Sequence, residues 1–182
     1  MRMKKMIKLL GAAVLLTMGA ISAFAASANK DEELMKARSV LLWIGGTRVG
    51  DLMVGADAKL QFQFVDRTLS ARIYAAPNNF PDDIVWNASY IDKAARAKCN
   101  LVILGYRAMN RWNFDPGKLT VNGEPLPANR IYTSLLSKET GNLAPDTQDA
   151  IAFGVPRSQS RGGSEIVFGY EGYSVKLTIP ER

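Results

Sequence analysis

The patterning of this chain predicts an all-β fold, an antiparallel β-sandwich with room for one short helix near Asn29 or Ile91. Two observations carry the prediction. Turn signals recur about every 8–12 residues and separate roughly nine or ten short apolar runs. Several of those runs alternate apolar with polar residues, as a strand with one buried face must. A third observation is the lack of any strand–helix–strand rhythm of the kind that builds parallel sheets. Length and composition agree: 182 residues, 47% hydrophobic and 22% charged, suit one soluble globular domain.

Read in order, residues 29–38 place acids early (Asp31, Glu32, Glu33) and bases late (Lys36, Arg38), which suits a helix dipole and leaves a short helix or a loose leader open. Ser39 to Ile44 is an apolar run ending at Gly45-Gly46, where a turn is expected, with Arg48 to Val54 returning as a second strand. Lys59 to Val65 is the clearest strand of this half, with Leu60, Phe62 and Phe64 alternating with Gln61 and Gln63. Thr68 to Ala75 follows as its expected hairpin partner, and Pro77 to Asp83 is a loop. Ile84 to Tyr90 reads as a strand, Ile91 to Lys98 as a short helix, and Leu101 to Leu104 as a central strand.

The second half is punctuated more regularly. Asp115-Pro116-Gly117-Lys118 is expected to form a type II turn, and Asn122-Gly123 a two-residue hairpin loop. Ile131 to Leu136, Ala150 to Val155, Glu165 to Tyr170 and Tyr173 to Ile179 read as strands. Arg157 to Ser164 reads as an exposed loop whose Arg161 suits an acidic partner or a plain connection.

The first 25 residues have the form of an export signal: basic Arg2, Lys4, Lys5 and Lys8, an apolar stretch from Leu9, and the small-x-small site Ala23-Phe24-Ala25. A second cut is possible after Ala28, and an uncleaved anchor over Leu9 to Ala28 is the competing reading. Cleavage leaves a single domain, residues 26–182, in the periplasm or outside the cell, with no membrane span. The 25 residues hold four of the 23 bases and none of the 17 acids, so the remaining 157 residues carry 19 bases against 17 acids. That near balance, with signs interspersed, argues against nucleic acid as a partner. The single Cys99 allows no disulfide within one chain; it is expected to be a buried small hydrophobe, with an intermolecular bridge as the alternative.

Trp112 to Ile179 resembles the immunoglobulin-like, telokin-like domains of unknown function in secreted bacterial proteins. The residues that carry the resemblance are Phe114-Asp115-Pro116, Leu119-Thr120-Val121-Asn122-Gly123-Glu124, Leu143-Ala144-Pro145, Ala152-Phe153-Gly154-Val155-Pro156 and Tyr173-Ser174-Val175-Lys176-Leu177. The resemblance covers under half of the chain. It implies an immunoglobulin-like sandwich and an extracytoplasmic, non-enzymatic role; it implies no chemistry. Many such proteins carry a lipid-anchor cysteine after the signal, and this chain has none there.

With no histidine and one cysteine, the imidazole-based triads, the Cys-His pair and the common zinc sites are excluded. No phosphate-binding glycine loop and no calcium-loop motif is present, and no cofactor is expected. Asp82-Asp83 is the nearest approach to a carboxylate pair for glycoside hydrolysis, and is expected instead to cap a helix or turn. Ser137-Lys138 and Ser174 with Lys176 are the nearest serine–lysine pairs, and are expected to be ordinary surface polar residues. Tyr106, Arg107, Arg111 and Trp112, which gather arginines and aromatics in one segment, are the candidate ligand-binding residues. The competing role for Trp112 is in the core beside the turn at Asp115. The expectation is therefore a non-enzymatic envelope module that binds a protein or a glycan. A carboxylate-dependent glycan hydrolase and a structural subunit that assembles through sheet edges are the alternatives.

Overall fold

The computed structural model describes residues 29–181. Helix α1 (residues 29–36) leads into β1 (Ser39–Val49), β2 (Leu52–Val65), α2 (Arg67–Ala75), α3 (Asp82–Ala88), α4 (Ile91–Arg96) and β3 (Cys99–Ala108). Seven further strands follow: β4 (Trp112–Phe114), β5 (Leu119–Val121), β6 (Glu124–Pro125), β7 (Gly141–Leu143), β8 (Gln148–Pro156), β9 (Glu165–Tyr170) and β10 (Tyr173–Thr178). Every pairing among them is antiparallel. A central sheet has the order β1-β2-β3-β8, a smaller one the order β10-β9-β5-β6, and β4 pairs with β7 as a short ribbon.

The two sheets pack face to face, and period-two alternation supplies the core between them. Leu60, Phe62, Leu104, Phe153, Phe168 and Tyr170 belong to one buried cluster, in which the rings of Phe62 and Phe168 stack with centroids 4.5 Å apart. The far face of the central sheet is also covered. Leu69 and Ile73 of α2, Ile84 and Ala88 of α3 and Ala94 of α4 pack against Leu101, Ile103 and Ala152. The molecule is thus mostly antiparallel β, with a layer of short helices on one side.

That helical layer corrects two readings. Thr68 to Ala75 is not a hairpin partner of β2. Asp66 stands in extended backbone and its Oδ1 accepts the Leu69 N–H at 2.8 Å, an N-cap that starts α2. Leu69 and Ile73, four apart, then bury one helical face. Ile84 to Tyr90 is likewise α3 and a turn, entered through Pro81 with Asp82 and Asp83 in the first turn. Ile84 and Ala88 face inward, and Trp86 is left 76% exposed. The helix near Ile91 and the helix near Asn29 are both present.

Turn chemistry explains three smaller differences. β1 runs through Gly45-Gly46 without reversing; the register shifts beside Gly45 because Asp57 of β2 is an extra, unpaired residue, and the hairpin reverses at Gly50-Asp51. Gly46 has φ +77, and a Cβ there would lie 2.7 Å from the Ala56 nitrogen, so only glycine fits. Asp115 to Lys118 is a 3₁₀ turn, in which the Asp115 carboxylate accepts the Gly117 N–H at 2.9 Å. Ile131 to Leu136 contributes a single bridge, Ile131 to Phe153, before entering a 3₁₀ turn. Asn122-Gly123 forms the expected two-residue loop, both residues at positive φ. Residues 1–25 and the second cut site lie outside the described residues.

Gly154 lets Tyr132 and Cys99 close over β8. A Cβ on Gly154 would overlap the Tyr132 hydroxyl and come within 3.0 Å of Cys99 Cβ. Gly154→Ala is expected to cost about 1–3 kcal/mol by overpacking, read from the denaturant midpoint. Burial pushes the hydroxyls of Tyr132 and Tyr170 up to about 12, and raises that of Tyr106 as well. An unfolded tyrosine ionises near 10.0, so the unfolded chain releases these protons first. Stability should therefore be intact below pH 10.0 and fall as the pH rises toward about 12. Unfolding midpoints measured across that window test this; a flat profile would contradict it.

A polar cleft on the helix side of the central sheet

The helices cover only part of their face of the central sheet, and the strand register shows which part remains open. Trp43, Lys59, Arg107 and Gln148 are successive cross-strand partners and so form one row on the helix-side face. The next row is Leu41, Gln61, Gly105 and Ala150; the one beyond is Ser39, Gln63, Ile103 and Ala152. Between this floor, the start of α3 and Met35 of α1 lies a cleft of about 590 Å³.

Its lining is polar and carries both charges. Lys59 and Arg107 stand toward the outer end of the floor; Asp82 and Asp83 form part of the helical wall. Lys59 Nζ lies 5.8 Å from the centre of the Trp43 ring. Asp83 Oδ1 accepts its neighbour Ile84 N–H at 2.9 Å, while Oδ2 is 3.8 Å from where a Cβ on Gly105 would stand. The missing side chain at Gly105 thus leaves room below the carboxylate. Asp149, at the rim, is committed elsewhere: its Oδ1 meets Lys138 Nζ and the Ala150 N–H, both at 2.7 Å.

The inner end of the cleft is closed by Gln63, which is 1% exposed. Its amide nitrogen donates to the carbonyls of Met35 and Arg38, both at 3.2 Å. Its Oε1 is buried and receives no hydrogen bond. An acceptor left in that state costs about 1–3 kcal/mol, so the site favours a donor.

The four residues singled out from sequence do not form one surface. Tyr106 is 3% exposed; its ring packs 4.1 Å from that of Phe114, and its hydroxyl donates to the Glu139 carbonyl at 2.6 Å. Trp112 is 7% exposed and packs against Phe114 and Tyr170 at 5.2 and 5.4 Å. Both rings therefore belong to the sandwich core. Arg107 lines the cleft and pairs with Asp146 at 2.6 Å. Arg111 is exposed on the bend after β3, away from the cleft lining. The residues that sequence reasoning passed over are Lys59, Gln61 and Gln63. Their signal was the polar half of the alternation in β2, three long side chains on one face of a strand.

A second cleft of about 460 Å³ includes Asn100, Arg157, Ser160 and Arg161. The loop beginning at Arg157 is anchored there, since Asn100 Nδ2 donates to Ser160 Oγ at 2.8 Å, and that hydroxyl donates to the Pro156 carbonyl at 2.9 Å. Among the described residues no group of three or more acidic or cysteine side chains could hold a metal ion, and no helix is long and apolar enough to cross a membrane.

Trp112→Ala is expected to destabilise the fold by about 3–5 kcal/mol, whereas Arg111→Ala should stay within roughly 0.5 kcal/mol of the parent. Chemical denaturation of the two variants measures the difference. Comparison with known proteins finds no matching family model, no matching curated protein and no matching solved structure.

Proposed function

We propose that this chain is an exported, non-catalytic module that takes a polar segment of a protein or a glycan into the cleft beside β2 and β3. One observation carries the reading: part of one sheet face is left uncovered by the helices, as a cleft lined with amide, ammonium, guanidinium and carboxylate groups. Concave sites with a few converging polar groups are where small ligands and chain segments bind. The immunoglobulin-like character of the sandwich belongs to this proposal, supported by the resemblance of Trp112 to Ile179 and by two antiparallel sheets packed face to face. So does the envelope address, supported by the basic, apolar and small-residue order of residues 1–25.

The hydrolase alternative draws on Asp82, Asp83 and Asp149, which line the same cleft. Their arrangement favours binding over bond cleavage. Asp82 and Asp83 share the first turn of a helix, where they complement its dipole, and Asp149 is held by Lys138 and two backbone N–H groups.

A pull-down with the purified chain, envelope extract and cell-wall glycan tests the proposal. Lys59→Ala combined with Gln61→Ala should lower specific capture about tenfold, the effect of losing one charge-assisted contact, without changing stability. Capture that is unchanged in the double variant would remove the cleft from the proposal. Release of reducing ends from the glycan would favour the hydrolase.

A further inference from the structure

The connection from β8 to β9, residues 157–164, is polar and contains Gly162-Gly163, yet it is not slack. It is pinned at both ends. The Arg157 N–H donates to the Lys98 carbonyl at 3.1 Å, and the Ser160 N–H to the Arg157 carbonyl at 3.4 Å. Asn100 Nδ2 donates to the Ser160 carbonyl at 3.1 Å and to its Oγ at 2.8 Å, and Ser160 is 4% exposed. At the far end the Gly163 N–H donates to the Ile179 carbonyl and the Ile179 N–H to the Ser164 carbonyl, both at 2.9 Å. The loop is therefore held in one shape beside the cleft of about 460 Å³, which shares no lining residue with the cleft along β2 and β3.

The positive charge on this loop is unanswered. Arg157 and Arg161 both line the cleft, and neither has an ion-pair partner among the described residues. Two carboxylates line the same cleft without meeting them. Asp66 is taken by Arg38 Nε at 2.9 Å and by the Leu69 N–H at 2.8 Å. Glu181 lies against the loop backbone, its Oε1 3.2 Å from where a Cβ on Gly163 would stand. With Asp66 balanced by Arg38, the cleft carries two guanidinium charges against the one of Glu181. The N–H groups of Arg161 and Gly162 also donate to no backbone carbonyl among the described residues. This surplus of donors and positive charge calls for an anion. A carboxylate satisfies one guanidinium through two parallel bonds. A phosphate monoester brings up to two negative charges and three acceptor oxygens, enough for two guanidiniums at once. We propose that this second cleft is a site for a phosphate monoester, held between Arg157 and Arg161. Gly162, with no side chain, lets the anion approach the backbone. Because the loop is already pinned, binding does not have to order it, which favours affinity. The site goes beyond the binding-module reading above and does not depend on it.

Calorimetric titration of the purified chain with inorganic phosphate, glycerol phosphate and acetate, at fixed ionic strength, tests this. Both phosphates are expected to bind, with acetate weaker by about tenfold or more. Arg157→Gln and Arg161→Gln should each weaken phosphate by about tenfold, the loss of one charge-assisted contact. Both side chains are exposed, so the unfolding midpoint without phosphate should stay that of the parent. Glu181→Gln removes the opposing charge and should shift affinity the other way, tightening phosphate. Sedimentation with phosphatidylcholine vesicles containing phosphatidic acid separates the two sources of the group. Co-sedimentation lost in Arg161→Gln supports a lipid headgroup; binding of glycerol phosphate without co-sedimentation supports a soluble or polymeric ester. Failure of both phosphates to bind, acetate binding as tightly as phosphate, or phosphate binding unchanged in the two arginine variants would each overturn the assignment.

Discussion

Strand β3 is buried on both of its faces, and the rest of the molecule is arranged around that constraint. Leu101, Val102, Ile103 and Leu104 are all fully buried. Leu101 and Ile103 belong to the core under the helices, and Val102 and Leu104 to the core between the sheets. Two apolar layers therefore meet through one strand and its neighbours β2 and β8. A strand of this kind reads as a continuous apolar run rather than an alternation. Its demand for cover on both sides is what calls for helices in a chain otherwise built of hairpins.

The N-terminal helix is attached by polar groups rather than by a large apolar face. Arg38 Nε meets Asp66 Oδ2 at 2.9 Å, and the same Asp66 caps α2. Asp31, 1% exposed, receives both Nε and Nη2 of Arg72, at 2.7 and 2.8 Å, and Asn79 Nδ2 at 2.8 Å. The Arg72 hydrogen bonds hold its carboxyl below the ordinary range. Removing Arg72 from this pair is costly, because the Asp31 charge would stay buried, whereas Arg72 itself is half-buried. The same groups shape the cleft: Gln63 is turned inward by the carbonyls that end α1, which leaves its oxygen without a donor.

Much of the sheet structure was legible because strand periodicity and hairpin chemistry are local. Leu60, Phe62 and Phe64 declared the buried face of β2, and Asn122-Gly123 declared its loop. The helices α2 and α3 were less legible. Their apolar pairs, Leu69 with Ile73 and Ile84 with Ala88, are only two residues long, and nine or fewer residues hold too little periodicity to outweigh strand-forming neighbours. Asp66 as a cap was the available signal. The site was the least legible part. Tyr106 and Trp112 were conspicuous as residue types, yet a sandwich buries its aromatics. Lys59, Gln61 and Gln63 were ordinary as types and became a site only when β3, β8 and α3 were placed beside them.

The register shift at Asp57, opposite Gly45, divides the first hairpin into two different pieces. From Ala58 to Gln63, β2 is paired on both sides; from Leu52 to Ala56 it is paired with β1 alone. Val49, Leu52 and Val54 of that outer piece are more than half exposed. A two-stranded ribbon without a covering layer is marginal in water. The outer ribbon is thus a separate opening unit, whose amides can exchange with solvent while the four-stranded sheet stays closed.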